Sequence, residues 1–166
     1  KRQDLLGAIE AVEANRDRFT HADIVSRASR AVELMLGNGV TAIRSHADVS
    51  PEHGIVSIEA LVEVRERFRG VVDIQIASLA GDITTEGLAR EVRAIARAAV
   101  GAGADLVGGC PHLEDDAEQA TDWLLELAGE HDLPVDLHTD ETLDPQELHL
   151  AYLARRVIDT GFSRAV

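Results

Sequence analysis

The sequence predicts an α/β fold built on a parallel sheet of barrel type, present as an incomplete segment of about four βα units. Three observations predict it. A strand-then-helix unit recurs at nearly constant spacing, helix caps and glycines punctuate that rhythm, and several strands carry polar residues on one face only.

Residues 3 to 36 read as two consecutive helical segments with no strand before them. Ile24, Val25, Ala28, Ala31, Val32 and Met35 recur at i, i+3, i+4 spacing, and Thr20 with Asp23 forms an N-cap start. A first β-rich run begins near Thr41. Ile55, Ile58, Leu61, Val62 and Phe68 then follow a less regular helical pattern, and a second run begins near Val72. Leu88, Val92, Ile95, Ala96 and Ala99 lead to a third run near Ala104. Glu114-Asp115-Asp116 marks a helix N-terminus, where acids complement the dipole, ahead of Leu124, Leu127 and Ala128. A fourth run begins near Pro134. Asp144, Pro145 and Glu147 read as the cap, first-turn proline and N3 acid of a last helix, continued by Leu148, Ala151, Tyr152 and Ile158. A fifth run starts at Ala165. Gly37, Gly39, Gly70, Gly101 and Gly103 sit where helices must stop before a strand. Successive runs lie roughly 30 residues apart, the length of a βαβ unit.

Such a rhythm means a parallel sheet, either open and doubly wound or closed as a (β/α)8 TIM barrel. An open flavodoxin-like sheet begins with its first strand, whereas here helices come first. A complete barrel takes about 250 residues, and the chain has 166. The TIM-barrel type is therefore expected, as one partial domain over residues 1–166.

Composition narrows the function. Sixteen basic and 30 acidic residues give a net charge of -14, the opposite of the basic footprint that binds nucleic acid or an anionic membrane. Aromatic residues make up 3%, too few for a base-stacking platform. No apolar run approaches the ~20 residues that cross a bilayer, and the N-terminus lacks the plan of a signal peptide. Cys110 is the only cysteine, so no internal disulfide forms and a reducing, cytoplasmic compartment is expected.

A strand buried on both faces reads as a near-continuous apolar run; these strands do not. Arg44, His46 and Asp48 share a face of the first strand. Val72, Ile74 and Ile76 alternate with Asp73 and Gln75 in the second, and Val135 and Leu137 with Asp136 and His138 in the fourth. Burying such groups is costly unless they are paired or bind a metal. Mutual pairing inside a barrel explains each of them taken alone; His46, for instance, could bond Asp48 or Arg44. Asp73 and Asp136 stand early in their strands and read as structural. Gln75, His112, His138 and Glu141 stand late, toward the C-terminal face where barrel active sites lie. His112 follows Gly108-Gly109, where backbone can approach a ligand closely. Cys110 reads as a small buried residue, Trp123 and Tyr152 as core, and His21, His53, His131 and His149 as solvated.

Four stretches resemble bacterial cytosine deaminase and its relatives in the amidohydrolase superfamily, in family order and across essentially the whole chain. They are Arg44-Ser45-His46-Ala47-Asp48-Val49, Asp73-Ile74-Gln75-Ile76, Gly103 to Gly108 through Pro111-His112, and Asp136-Leu137-His138-Thr139-Asp140-Glu141. The resemblance implies a metal-dependent hydrolytic deaminase using one divalent ion, iron or zinc. It implies that His138 ligates the metal, Glu141 shuttles a proton between metal-bound water and a ring nitrogen, and Gln75 and His112 contact a small heterocyclic substrate. It also implies that the remaining metal ligands fall before Lys1 and after Val166, so this segment alone is expected to be inactive. Ser78-Leu79-Ala80-Gly81 lacks the Phe-Pro-Gln of close cytosine deaminases, which widens the expected substrate to a cytosine-like amino-heterocycle or related cyclic amide. The alternative is a non-catalytic half-barrel that assembles with itself or another chain; exposed parallel edges make a homo-oligomer the expectation in either case. A phosphate-binding α/β protein is disfavoured, since no Gly-x-Gly-x-x-Gly or P-loop pattern follows a strand.

Overall fold

A computed structural model describes residues 5–164 of the chain; the expected strand start at Ala165 lies outside them. Two helices come first, α1 (Leu5–Glu13) and α2 (His21–Gly37), joined by a short 3-10 turn, Arg16–Arg18. Strands β1 (Ala42–Val49), β2 (Asp73–Ala80), β3 (Leu106–Gly109) and β4 (Val135–Leu137) then alternate with α3 (Val56–Arg67), α4 (Ala89–Gly101), α5 (Ala117–His131) and α6 (His149–Thr160). All pairings are parallel, and the strands lie side by side in chain order. Val135 N donates to Arg164 O at 3.1 Å, so the chain returns alongside β4 after α6.

Local chemistry sets most boundaries where the sequence places them. The Thr20 hydroxyl accepts from Asp23 N at the start of α2, and Asp116 accepts from Gln119 N at the start of α5. Gly39, Gly70 and Gly103 adopt positive φ between helix and strand. One boundary differs. Asp144 caps only a turn, its Oδ1 accepting from Gln146 N at 2.8 Å, and α6 starts later, at His149. The cap there is Asp140, whose Oδ1 and Oδ2 accept from His149 N at 2.6 Å and Leu150 N at 3.1 Å. A carboxylate from the preceding loop outcompetes the local Asp-Pro signal.

Strand register sorts the residues onto two faces. Ile43, Ala47 and Val49 align with Ile74, Ser78 and Ala80, and through them with Val107 and Val135. This face packs on Ile58 and Val64 of α3, Val92 and Ala96 of α4, and Leu124 and Leu127 of α5, all fully or almost fully buried. The opposite face carries Arg44, His46, Asp48, Gln75, Leu79, Gly108 and Asp136. Asp136 Oδ2 lies 2.9 Å from Arg44 Nη1 and 3.3 Å from His46 Nε2. His46 therefore pairs with Asp136, not with Asp48 or Arg44.

Those contacts decide between an open sheet and a barrel. β1 and β4 are separated by β2 and β3, roughly 14 Å in a flat sheet. Side chains stand roughly perpendicular to the sheet, so on a flat sheet a His46–Asp136 contact could not form. The sheet must curve toward its polar face, which is the concave wall of a barrel. The fold is an incomplete (β/α) barrel segment.

Gly108 keeps that wall closely spaced. A Cβ there would meet Ser78 O at 3.0 Å and Asp136 O at 3.1 Å, whereas one at Gly129 on α5 would meet nothing within 4 Å. Gly108→Ala is expected to destabilise the fold by about 1–3 kcal/mol. Gly129→Ala should be neutral or stabilise slightly. Denaturant unfolding of both variants checks this.

Candidate functional site

The strands end together around one cavity of ≈ 420 Å³. β1 contributes Asp48 and Val49 and β2 contributes Leu79 and Ala80; Cys110 follows β3, and His138 and Glu141 follow β4. Alternation explains why these side chains meet: Asp48 and Leu79 are paired in register on the concave face. Apolar walls from Leu79 and Leu113 flank the carboxylates of Asp48, Glu114 and Glu141. Arg16 enters from the 3-10 turn, with Nη2 3.9 Å from Asp48 Oδ2. His53 Nε2 donates to Arg16 O at 2.9 Å and secures that turn. His53 is thus half-buried and bonded where solvation was expected.

The expected site residues separate into levels. His138 and Glu141 line the cavity. His138 is fixed from three sides: its N donates to Gly109 O at 3.0 Å, its carbonyl accepts from His112 Nδ1 at 3.1 Å, and its ring meets that of His46 edge-on at 4.8 Å. His112 stands behind His138. A carbonyl only accepts, so Nδ1 of His112 carries the proton, leaving Nε2 of the neutral ring as an acceptor. That Nε2 is buried and has no hydrogen-bond partner. Gln75 sits deeper. β2 continues to Ala80, so Gln75 lies in its first half, not late as its sequence position suggested. Its Oε1 accepts from Arg44 Nε at 3.1 Å and Nη2 at 2.8 Å.

Several cavity residues escaped the sequence reading. Asp48 was visible as the last inward residue of its strand. In the sequence Glu114 stands as an acid of a helix start, but its Oε2 accepts from Thr84 N and Thr84 Oγ1, both at 2.9 Å, tying two loops together at the rim. Arg16 carried no local signal, because only tertiary packing brings its turn over β1.

Among the described residues no three His, Cys, Asp or Glu groups converge to hold a metal ion. A catalytic metal takes three protein ligands or more, so the donors present do not fit a complete centre; His138 is a single donor. Also among the described residues, no helix is long and apolar enough to cross a membrane.

Burial, helped by the charges of Asp48, Glu141 and Glu114, pushes the Cys110 thiol up to about 11. The thiol stays protonated at neutral pH, which fits an unreactive residue, although Cys110 is half-buried at the cavity where full burial was expected. Cys110 is expected to alkylate slowly with iodoacetamide at pH 7 in the folded protein and rapidly once unfolded. Mass spectrometry of the labelled chain measures both rates.

No protein-family model matches the chain. The chain is 30% identical to the pterin deaminase of Rhizobium rhizogenes, over 97% of its own length and 37% of that protein's. It is 26% identical to the N-isopropylammelide isopropyl amidohydrolase of a Pseudomonas species, over 89% of the chain and 36% of the relative. Among solved structures it superposes on the 5-methylcytosine deaminase of Klebsiella pneumoniae liganded with 5-fluorocytosine, with a TM-score of 0.88 and 28% identity, covering 97% of the chain and 39% of that structure. The chain thus spans little more than a third of the length of the curated relatives it matches.

Proposed function

We propose that the chain, a segment of an amidohydrolase-family barrel, carries part of the active site of a hydrolytic deaminase acting on a cytosine-like amino-heterocycle or a related cyclic amide. One observation carries the reading: His138 and Glu141 converge in a cavity at the C-terminal ends of four parallel strands. Barrel enzymes place their chemistry at that end. Likeness over nearly the whole chain to proteins named as deaminases and an amidohydrolase supports it.

Glu141 is the proton carrier in this reading. Its exposed carboxylate borders the cavity, where it carries one proton from the hydrolytic water to the ring nitrogen and then a second, from the hydroxyl of the tetrahedral adduct, to the amino group, which leaves as ammonia. The apolar walls suit the faces of a planar ring. Of the two expected substrate contacts, His112 stays in the proposal, because its buried Nε2 lacks a partner. Gln75 is not retained: it lies below the cavity, with Oε1 held by Arg44. One divalent metal, iron or zinc, belongs to the proposal for the whole protein, with His138 as the donor this chain gives. A cytoplasmic location belongs to the same proposal, on the single cysteine, as does a homo-oligomer.

The full-length protein should release ammonia from at least one of cytosine, 5-methylcytosine and pterin, and should contain stoichiometric iron or zinc. Glu141→Gln should lower kcat by about 10²- to 10⁴-fold with metal content unchanged. Retained turnover would remove Glu141 from its role. Absence of both metal and ammonia release would favour the non-catalytic half-barrel.

A further inference from the structure

We infer that Asp140 is a positioning residue that sets where Glu141 stands, by clamping the loop after β4 onto the start of α6. The inference rests on the proposed role of Glu141. Asp140 lies between the two cavity residues of this loop, one residue from Glu141 and two from His138. Its side chain does not point at the cavity; both carboxylate oxygens are engaged elsewhere. Oδ1 accepts from His149 N at 2.6 Å and Oδ2 from Leu150 N at 3.1 Å. These amides open α6 and have no acceptor within the helix.

The bonds span nine and ten residues and so close residues 141–148 into a loop with pinned ends. Little else holds that loop. Leu143 is wholly exposed and Leu148 largely so. Its internal order comes from the turn at Asp144, where Oδ1 accepts from Gln146 N at 2.8 Å. Asp140 also has φ +57°, in the left-handed region. Aspartate and asparagine tolerate that conformation better than most residues. The turn redirects the chain straight after β4, and the clamp holds it there. Asp140 thus joins a rigid strand end, through a left-handed turn, to a helix start, and Glu141 is the next residue. Removing the clamp frees the backbone that carries the proposed proton carrier, and geometry errors of about 1 Å at such a group cost up to about a hundredfold in rate.

Three variants of the full-length protein separate the clamp from the backbone turn. Asp140→Asn keeps the left-handed preference and one side-chain acceptor. Asp140→Gly accepts the positive φ but has no acceptor. Asp140→Ala loses both. With the substrate that the wild type turns over, kcat should fall at least about tenfold in Gly and Ala, and Asn should recover most of that loss. KM should change less than about twofold in all three, because a misplaced proton carrier slows the chemical step while leaving substrate binding intact. Amide hydrogen exchange should accelerate at His149 and Leu150 in Gly and Ala, and less in Asn. Wild-type kcat in Asp140→Gly together with lost protection at His149 and Leu150 overturns the inference and leaves the proposed function intact. Equal loss in Asn and Gly overturns it also, since the acceptor would then be irrelevant. If Glu141→Gln turns over normally, the proposed function fails first, and the inference fails with it.

Discussion

The structure depends on one carboxylate bridging strands that are not neighbours. Asp136 of β4 holds Arg44 and His46 of β1 across the concave face of the sheet. Parallel strands supply evenly spaced backbone bonds but do not by themselves choose between a flat and a rolled sheet. A charge-assisted pair across two intervening strands makes that choice. Half-buried carboxylate and guanidinium groups are costly to leave unpaired, and only a curved sheet lets these two meet.

Curvature then builds the site. Rolling the sheet brings four strand ends around one cavity, which inward-facing Leu79 helps to line. The polar layer formed by Arg44, Gln75, His46 and Asp136 lies beneath and supports His138 through the edge-on ring of His46. His138 is therefore held by packing and by its own backbone bonds to Gly109 and His112. Glu141, one turn of loop later, stands exposed at the rim. Rigid support below and an acid held at the rim by the loop that Asp140 clamps suit a site that must hold one group still and move protons with another.

The cavity's charge fits its surroundings. Asp48, Glu114 and Glu141 face it with Arg16 as a cationic neighbour. Carboxylates around a shared cavity accept N–H groups, which amino-heterocycles offer in plenty. The same carboxylates, after burial, keep the Cys110 thiol protonated, so nucleophilic chemistry at sulfur is suppressed where the proposed acid–base chemistry takes place.

By itself the sequence determined the alternation of strands and helices, the parallel sheet, its polar face and the position of His138 and Glu141 after the fourth strand. These follow from periodicity and capping, which are local and act wherever the chain goes; only the exact strand end differs, since β4 stops at Leu137 and His138, expected as its last residue, lies just beyond it. Four strands begin within two residues of their expected starts, and Thr20 and Asp116 cap as their positions imply. Tertiary structure alone decided the rest. Gln75 fell below the cavity because β2 runs on to Ala80, an extension of apolar and small residues whose pairing only β1 and β3 could fix. Asp140 displaced Asp144 as the cap of α6 because two charge-assisted bonds across a loop outweigh one local turn. Arg16 and Glu114 reached the cavity by packing between segments distant in the chain. Contacts of that range leave no periodic trace in a sequence, since they depend on where the sheet's curvature carries each element.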